Sequence, residues 1–264
     1  MITLVENETY TFIVPCYNEE EIISANFLKI GKALSDIRED MKLPFGAIKL
    51  VCLNDGSTDN TETEILDDVF RYQQYHLLDD LELIYIKMNG PSRRENLLKY
   101  IATKVNTTYV GYMDCDIATD LKDLKLLLGV APYYDIVSGS RYLVSSKVKR
   151  DFSRRMISYL FNNGIRILFG SKIRDHECGF KIFKTDKLKT IIKYTKYGDK
   201  YKDRKMLWDS EMWVYAQQLN YKVLEIPVEW EAGKKSALRF TSETRMIKYV
   251  LKLWWSKRWQ LNKK

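Results

Sequence analysis

Tyr109-Val110-Gly111-Tyr112-Met113-Asp114-Cys115-Asp116 is the stretch on which the fold turns. Its apolar start predicts a buried strand, and two carboxylates two residues apart mark the strand's end. Side chains alternate along a strand, so Asp114 and Asp116 share a face while Cys115 points the other way. Carboxylates on one face repel each other unless a cation or a hydrogen-bond network compensates. Hard oxygen donors of this kind suit Mg²⁺ or Mn²⁺ completed by phosphate oxygens. An isolated Asp-x-Asp is more often a solvated acidic turn, so the surrounding sequence has to decide.

Working outward, Tyr10 to Cys16 reads as a first buried strand running into the acidic helix start Tyr17-Asn18-Glu19-Glu20-Glu21. Ile23, Phe27, Ile30, Leu34 and Ile37 follow at helical spacing, which predicts one amphipathic face. Ala47 to Leu53 is a second strand, ending in Asn54-Asp55-Gly56-Ser57-Thr58, with Thr61 and Glu64 placed for a capping box. Leu81 to Ile86 predicts a third strand, Glu95 to Val105 and Leu121 to Leu128 helices, and Asp135 to Arg141 a fifth strand. Such alternation implies a mostly parallel sheet covered on both faces. Ligands of these sheets lie beyond the carboxyl ends of the strands. Glu19, Asp55, Asp114 and Arg141 all fall at ends of that kind.

The second half is less regular. Ser146 to Phe169 is a basic segment running into an apolar helix, and Asp175 to Phe183 a loop entering a strand. Asp186 to Tyr194 and Trp208 to Leu219 read as helices, and Tyr221 to Trp230 as one late strand.

The 264 residues, 45% hydrophobic and 30% charged, suffice for a full globular core. A formal charge of +8 points to an anionic partner. Four cysteines without paired spacing predict buried free thiols in a reducing compartment, and two histidines exclude a histidine-rich metal site. With no signal segment and no apolar run long enough to span a bilayer, the expectation is a cytoplasmic chain, soluble or peripheral at a membrane. From Arg245 to Lys264 there are seven basic groups and no acid, interleaved with Ile247, Val250, Leu251, Trp254 and Trp255. That composition predicts an interfacial amphipathic helix, alone or helped by a membrane-anchored partner subunit, with terminal tryptophans packed on the domain as the alternative.

Read in order, Pro15-Cys-Tyr-Asn-Glu19, Asn54-Asp-Gly-Ser-Thr58, Asp114-Cys-Asp116 and Gly139-Ser-Arg141 resemble family 2 of the glycosyltransferases, with the GT-A (Rossmann-like) fold. Asp175-x-Glu-Cys-Gly-Phe-Lys181, Trp208-Asp-Ser-Glu211 and Val228-Glu-Trp230 narrow the resemblance to the dolichyl-phosphate mannose and glucose synthases. The resemblance covers roughly residues 10 to 240, which sets a domain over 1–240 apart from the basic amphipathic tail over 241–264. It also implies metal-dependent, inverting transfer of a hexose from UDP-glucose or GDP-mannose to a polyprenyl or dolichyl phosphate. Pro15, Tyr17, Glu19 and Asp55 would hold the nucleoside. Asp114, Cys115 and Asp116 would meet the diphosphate, the two aspartates through Mg²⁺ or Mn²⁺. Asp116, Arg141 and Lys181 would serve catalysis, the last two against the phosphates or the acceptor. Ala118 stands where mannose synthases commonly carry Gln, which is similar to the glucose synthases.

Two segments depart from the pattern. Asn89-Gly-Pro-Ser-Arg-Arg94 replaces a Gly-Lys-Gly turn, so that Arg93 or Arg94 would supply the charge; Gly233-Lys-Lys-Ser236 replaces a Gly-Ser-Lys, leaving Lys234, Lys235 and Arg239 as candidates. Lys147, Lys149, Arg150, Arg154 and Arg155 form a basic run that could cradle an acceptor phosphate, with Arg150 and Arg154 the chosen pair, or could be a solvated face. A soluble-acceptor transferase is the nearest rival. A non-catalytic module for anionic membrane or nucleic acid is the distant one, since acidic strand ends and the lack of any nucleic-acid-binding signature speak against nucleic acid.

Overall fold

Strand β1 (Tyr10–Cys16) is buried at every residue but Pro15, so it must sit inside a sheet covered on both sides. The computed structural model, which describes residues 8–43, 47–67, 81–92, 94–198, 204, 207–232, 249–251 and 253–255, places it there. The other sheet strands are β2 (Ile48–Asn54), β3 (Glu82–Lys87), β4 (Tyr109–Tyr112), β5 (Ile136–Ser140), β7 (Lys181–Lys184) and β8 (Val223–Pro227). Their order is β3-β2-β1-β4-β7-β5-β8. All neighbours run parallel except β7, which lies antiparallel between β4 and β5. Reversal matters for the site: the start of β7, not its end, reaches the carboxyl edge of the parallel strands.

Helix α1 (Ile23–Asp40) buries Ile23, Phe27, Ile30, Leu34 and Ile37, the face its spacing predicts. It shares a core cluster with α4 (Asp123–Val130) on one side of the sheet. The other side is covered by α3 (Arg94–Lys104), α6 (Thr185–Thr195) and α7 (Trp208–Gln218). A third cluster joins Ile165 and Phe169 of α5 (Phe152–Phe169) to Leu207, Val214, Val250 and Leu253. The expected capping box at Thr61 is not formed. The helical run at 61–67, α2, is opened by Asp59 instead, whose Oδ1 accepts from both the amide and the hydroxyl of Thr61.

The single late strand expected over Tyr221 to Trp230 is two. Pro227 ends β8, since it has no amide to donate to a ladder, and β9 (Glu229–Glu231) leaves the sheet to pair with β6 (Lys147–Lys149). Lys147 and Lys149 are thereby ion-paired at the surface with Glu229 and Glu231. At the C-terminus Val250 and Leu253 are buried and Trp254 packs on the third cluster, while Leu251 and Trp255 stay exposed. The packed alternative therefore holds for Trp254, and the basic groups at 256–264 lie outside the described residues. All four cysteines are buried and free.

His176 pins α5 to the loop before β7. Its Nδ1 lies 2.8 Å from Oδ1 of Asn162 and its Nε2 2.9 Å from the Ser171 hydroxyl, a pattern suited to the neutral ring with Nδ1 donating. Burial pushes its pKa down to about 4 from 6.5. A depressed value means the unfolded chain binds the extra proton first, so stability is full above 6.5 and falls as pH drops toward 4. Urea midpoints across that window should record a loss on the order of 2–3 kcal/mol, and His176→Gln should flatten it.

Candidate active site

The loops after β1 and β2 are latched to each other. The Asn18 amide donates to Ser57 Oγ at 3.0 Å, the Thr58 amide returns a bond to Asn18 Oδ1 at 2.8 Å, and the Glu19 amide donates to Thr61 Oγ1 at 2.9 Å. Half-buried Pro15 and Glu19 and exposed Tyr17 therefore stand on a braced rim, with the Tyr17 ring open to solvent. Asp55 departs from expectation. It is buried, and its carboxylate accepts from the amide and hydroxyl of Ser92 and from the Asn96 amide. In this arrangement it ties the end of β2 to the loop after β3. Gly56 allows the approach: at φ +77, a Cβ there would sit 2.5 Å from the Gly90 backbone.

Strand β4 ends at Tyr112, so the aspartate pair sits in the turn that follows and not on the strand itself. Asp114 and Asp116 are exposed, and Cys115 faces the core, so its side chain does not line the open side. The turn is held by the Ala118 amide, which donates to Asp116 Oδ1 at 3.1 Å, and by Ile117 at φ +51. A β-branched residue in that region costs about 1–3 kcal/mol and persists only where its surroundings impose it. Although Asp116 is exposed, partial desolvation by the atoms packed around it, and then the like charge of Asp114, raise its carboxyl above the ordinary value. Among the described residues Asp116 has no ion-pair partner. A small cleft beside it is lined by Met113, Asp114, Ala118, Thr119, Gly179 and Phe180. Gly179 leaves room for the Asp114 carboxylate in this position, since a Cβ there would lie 2.0 Å from Asp114 Oδ2 and push that side chain aside.

Below the turn lies a buried charge cluster centred on Asp209, in the first turn of α7. Its Oδ1 accepts from the Lys181 ammonium at 2.8 Å and the Tyr112 hydroxyl at 2.7 Å, and its Oδ2 from Arg94 Nε at 3.1 Å. Burial alone would raise this carboxyl, but Arg94 and Lys181 outweigh it and hold it below the usual range. Arg94 also reaches upward, with Nη2 3.9 Å from Asp114 Oδ1. Arg94, one of the two arginines that would supply the lysine's charge, thus stands at the site, and Arg93 lies outside the described residues. Lys181 is fully buried and also donates to the Cys178 carbonyl, so it does not present its charge to the open side. Glu177 accepts from Ser210 at 2.6 Å, and burial beside Asp209 pushes its pKa up to about 8.

Arg141 is likewise engaged. Asp175, itself buried, receives its Nε at 2.7 Å, its Nη2 at 2.8 Å and its amide at 2.9 Å. Its guanidinium also lies 5.3 Å from the Trp230 ring, and that of Arg150 lies 5.4 Å from the same ring. Trp230 bridges to Thr119, and the Glu231 amide donates to the Ala118 carbonyl at 2.8 Å, so Arg150 is carried to the flank of the Asp116 turn. The Arg154 side chain, Lys234, Lys235 and Arg239 lie outside the described residues. Glu211 faces away from the cleft, bonded to Arg204 and Tyr249.

Sequence reasoning missed Asp209 and Gly179 as determinants of the site. Both lie within motifs quoted for the resemblance, but residue type alone did not show that Asp209 would be buried between two cations or that Gly179 would meet Asp114. Asp209→Asn should leave Arg94 and Lys181 buried without a counter-charge and cost about 3–5 kcal/mol, read from denaturant midpoints.

Among known proteins, residues 11–192 match the profile of Glycosyl transferase family 2. Glycosyltransferase AglD of Haloferax volcanii is 28% identical over 250 residues, covering 92% of this chain and 36% of that protein. The dolichyl-phosphate beta-glucosyltransferase of Dictyostelium discoideum is 26% identical over 94% of this chain and 75% of its own length. The chain thus spans about a third of the first relative and three quarters of the second. Among solved structures, the mannosyltransferase PcManGT of Pyrobaculum calidifontis, in complex with GDP-Man and Mn²⁺, superposes with a TM-score of 0.58 at 18% identity. The match covers 96% of this chain and 65% of that one. Glucosyl-3-phosphoglycerate synthase of Mycobacterium tuberculosis, with Mn²⁺ and UDP-glucose, gives 0.52 at 14% identity over 92% and 78%. These likenesses show a shared GT-A-like fold. With the profile spanning well over half its length, the chain belongs to glycosyltransferase family 2.

Proposed function

We propose that this enzyme transfers a hexose, glucose in preference to mannose, from a nucleoside-diphosphate sugar to a polyprenyl or dolichyl phosphate, with inversion. The observation that carries this reading is the Asp114–Asp116 turn: two exposed carboxylates at the carboxyl edge of the sheet, with Arg94 beneath and Arg150 beside them. Glucose is favoured by Ala118 and by the relatives, several of which are named dolichyl-phosphate beta-glucosyltransferases. UDP-glucose is accordingly the first donor to test and GDP-mannose the second.

The donor set fits Mg²⁺ or Mn²⁺. Among the described residues no group of three or more His, Cys, Asp or Glu side chains could hold a metal. Two aspartates would therefore leave most of the coordination to phosphate oxygens and water, as these hard ions prefer. Bound there, the ion supplies charge neutralisation for the departing diphosphate. Tyr17 and Glu19 hold the nucleoside on the latched rim. Arg94, fixed by Asp209, adds fixed positive charge beneath Asp114 without reorganising. A lipid phosphate has a second pKa of about 6 and is largely dianionic near neutrality, so it needs no strong base to attack the anomeric carbon. Asp209, held by three donors, is not available as one in this arrangement. Arg150, on the Trp230 ring, and Arg154 would steady the acceptor phosphate. No helix among the described residues is long and apolar enough to cross a membrane. We place the enzyme at the cytoplasmic face of a membrane, held at its surface or by a membrane-anchored partner.

With radiolabelled donors and polyprenyl phosphate, label should pass into the lipid extract. Asp116→Asn should lower it by two or more orders of magnitude while the fold is kept. Gly179→Ala, which displaces the Asp114 carboxylate, should cost at least about tenfold. Near-normal transfer by a folded Asp116→Asn protein would remove the metal assignment, and transfer only to a soluble acceptor would remove the lipid.

A further inference from the structure

Helix α5 is apolar on two opposite faces. Ile165 and Phe169 are set into the third core cluster, together with Phe161 and Leu168. Phe152, Met156, Leu160 and Ile167 recur at spacings of four, four and seven, which at about 100° per residue keeps them on one stripe facing away from that cluster. They are exposed, Phe152 by 76%, Leu160 by 63% and Ile167 by 83%, and Tyr159 beside them by 52%. A contiguous run of large apolar side chains on the surface marks a contact surface. The charge around it is one-sided. From Phe152 to Arg174 there are five basic residues and no acid. Arg155 and Arg166 are exposed along one flank of the stripe. The C-terminal helical segment packed on the same cluster adds exposed Leu251 and Trp255, 49% and 64% accessible.

We propose that the outer stripe of α5, from Phe152 to Ile167, is a docking surface that inserts shallowly into an anionic lipid bilayer. An apolar stripe flanked by arginines and free of acids is the composition of an interfacial helix, whose side chains enter the acyl boundary while the basic groups meet lipid phosphates. A second copy of this chain fits less well. Antiparallel pairing of the stripe with itself about Leu160 would set Arg155 of one copy beside Arg166 of the other, with no acid on the face to relieve them. The inference names the surface at which the proposed acceptor is met. It is tested on vesicles holding neither acceptor nor donor, so its failure leaves the transfer reaction untouched.

The test is flotation of the full chain with phosphatidylcholine vesicles containing one quarter phosphatidylserine. The chain should float at low salt and less at high salt. A Phe152→Ser/Leu160→Ser/Ile167→Ser protein should float at least about tenfold less, with unchanged melting because all three side chains are exposed. An Arg155→Gln/Arg166→Gln protein should lose mainly the salt-sensitive part of binding. Three outcomes would overturn the proposal: no flotation of the full chain, equal flotation of the triple variant, or a dimer that the triple variant splits, which would assign the stripe to a second copy.

Discussion

One buried carboxylate organises the site. Asp209 accepts from Arg94 of α3, Lys181 of β7 and Tyr112 of β4, and so ties three separate elements to the start of α7. Burying charges is costly unless each finds its partner, and a carboxylate with two cations and a hydroxyl meets that condition. The position of β7 makes this possible. Because it runs antiparallel between β4 and β5, Lys181 enters at the edge where the parallel strands end. Gly179, two residues earlier, arrives against Asp114 for the same reason. The exposed acids are thus mounted on a core that fixes their backbone and places Arg94 beneath one of them.

The net charge of this core is balanced against its surface. Two cations face one buried carboxylate, and burial beside Asp209 pushes the neighbouring Glu177 carboxyl up to about 8. The remaining positive charge is directed at Asp114 through Arg94. With two cations against one carboxylate the cluster keeps a net positive charge, which suits the diphosphate proposed to bind above it.

Much of this was legible in residue order. Continuous apolar strands with polar exits located the sheet and its carboxyl edge, and the spacing of Ile23, Phe27, Ile30, Leu34 and Ile37 gave the buried face of α1. Pairing was not legible. Arg141 and Lys181 have the residue type of phosphate-binding groups, yet each meets a buried acid, Asp175 or Asp209, at least 28 positions away. Asp55 likewise is engaged with Ser92 and Asn96, a partnership its residue type did not announce. Residue type gives charge, while burial decides whether that charge is available to a ligand. The split of the last strand at Pro227 is a smaller case. Its missing donor was visible in sequence, but the β6–β9 ribbon that pairs Lys147 and Lys149 with Glu229 and Glu231 depends on where the chain goes next.

The same ribbon joins the site to the proposed docking surface. Trp230 of β9 bridges to Thr119 just past the Asp116 turn, and Arg150 lies over its ring. Arg150 is also only two residues before Phe152, where α5 and its exposed stripe begin. A phosphate held near Arg150 would therefore stand between the proposed diphosphate site and the start of an apolar surface. A phosphorylated lipid needs that order of contacts, charge at one end and hydrocarbon at the other, whereas a soluble sugar acceptor would have no use for the stripe. The direction of the chain from β6 into α5 thus supports a lipid acceptor independently of the relatives' names.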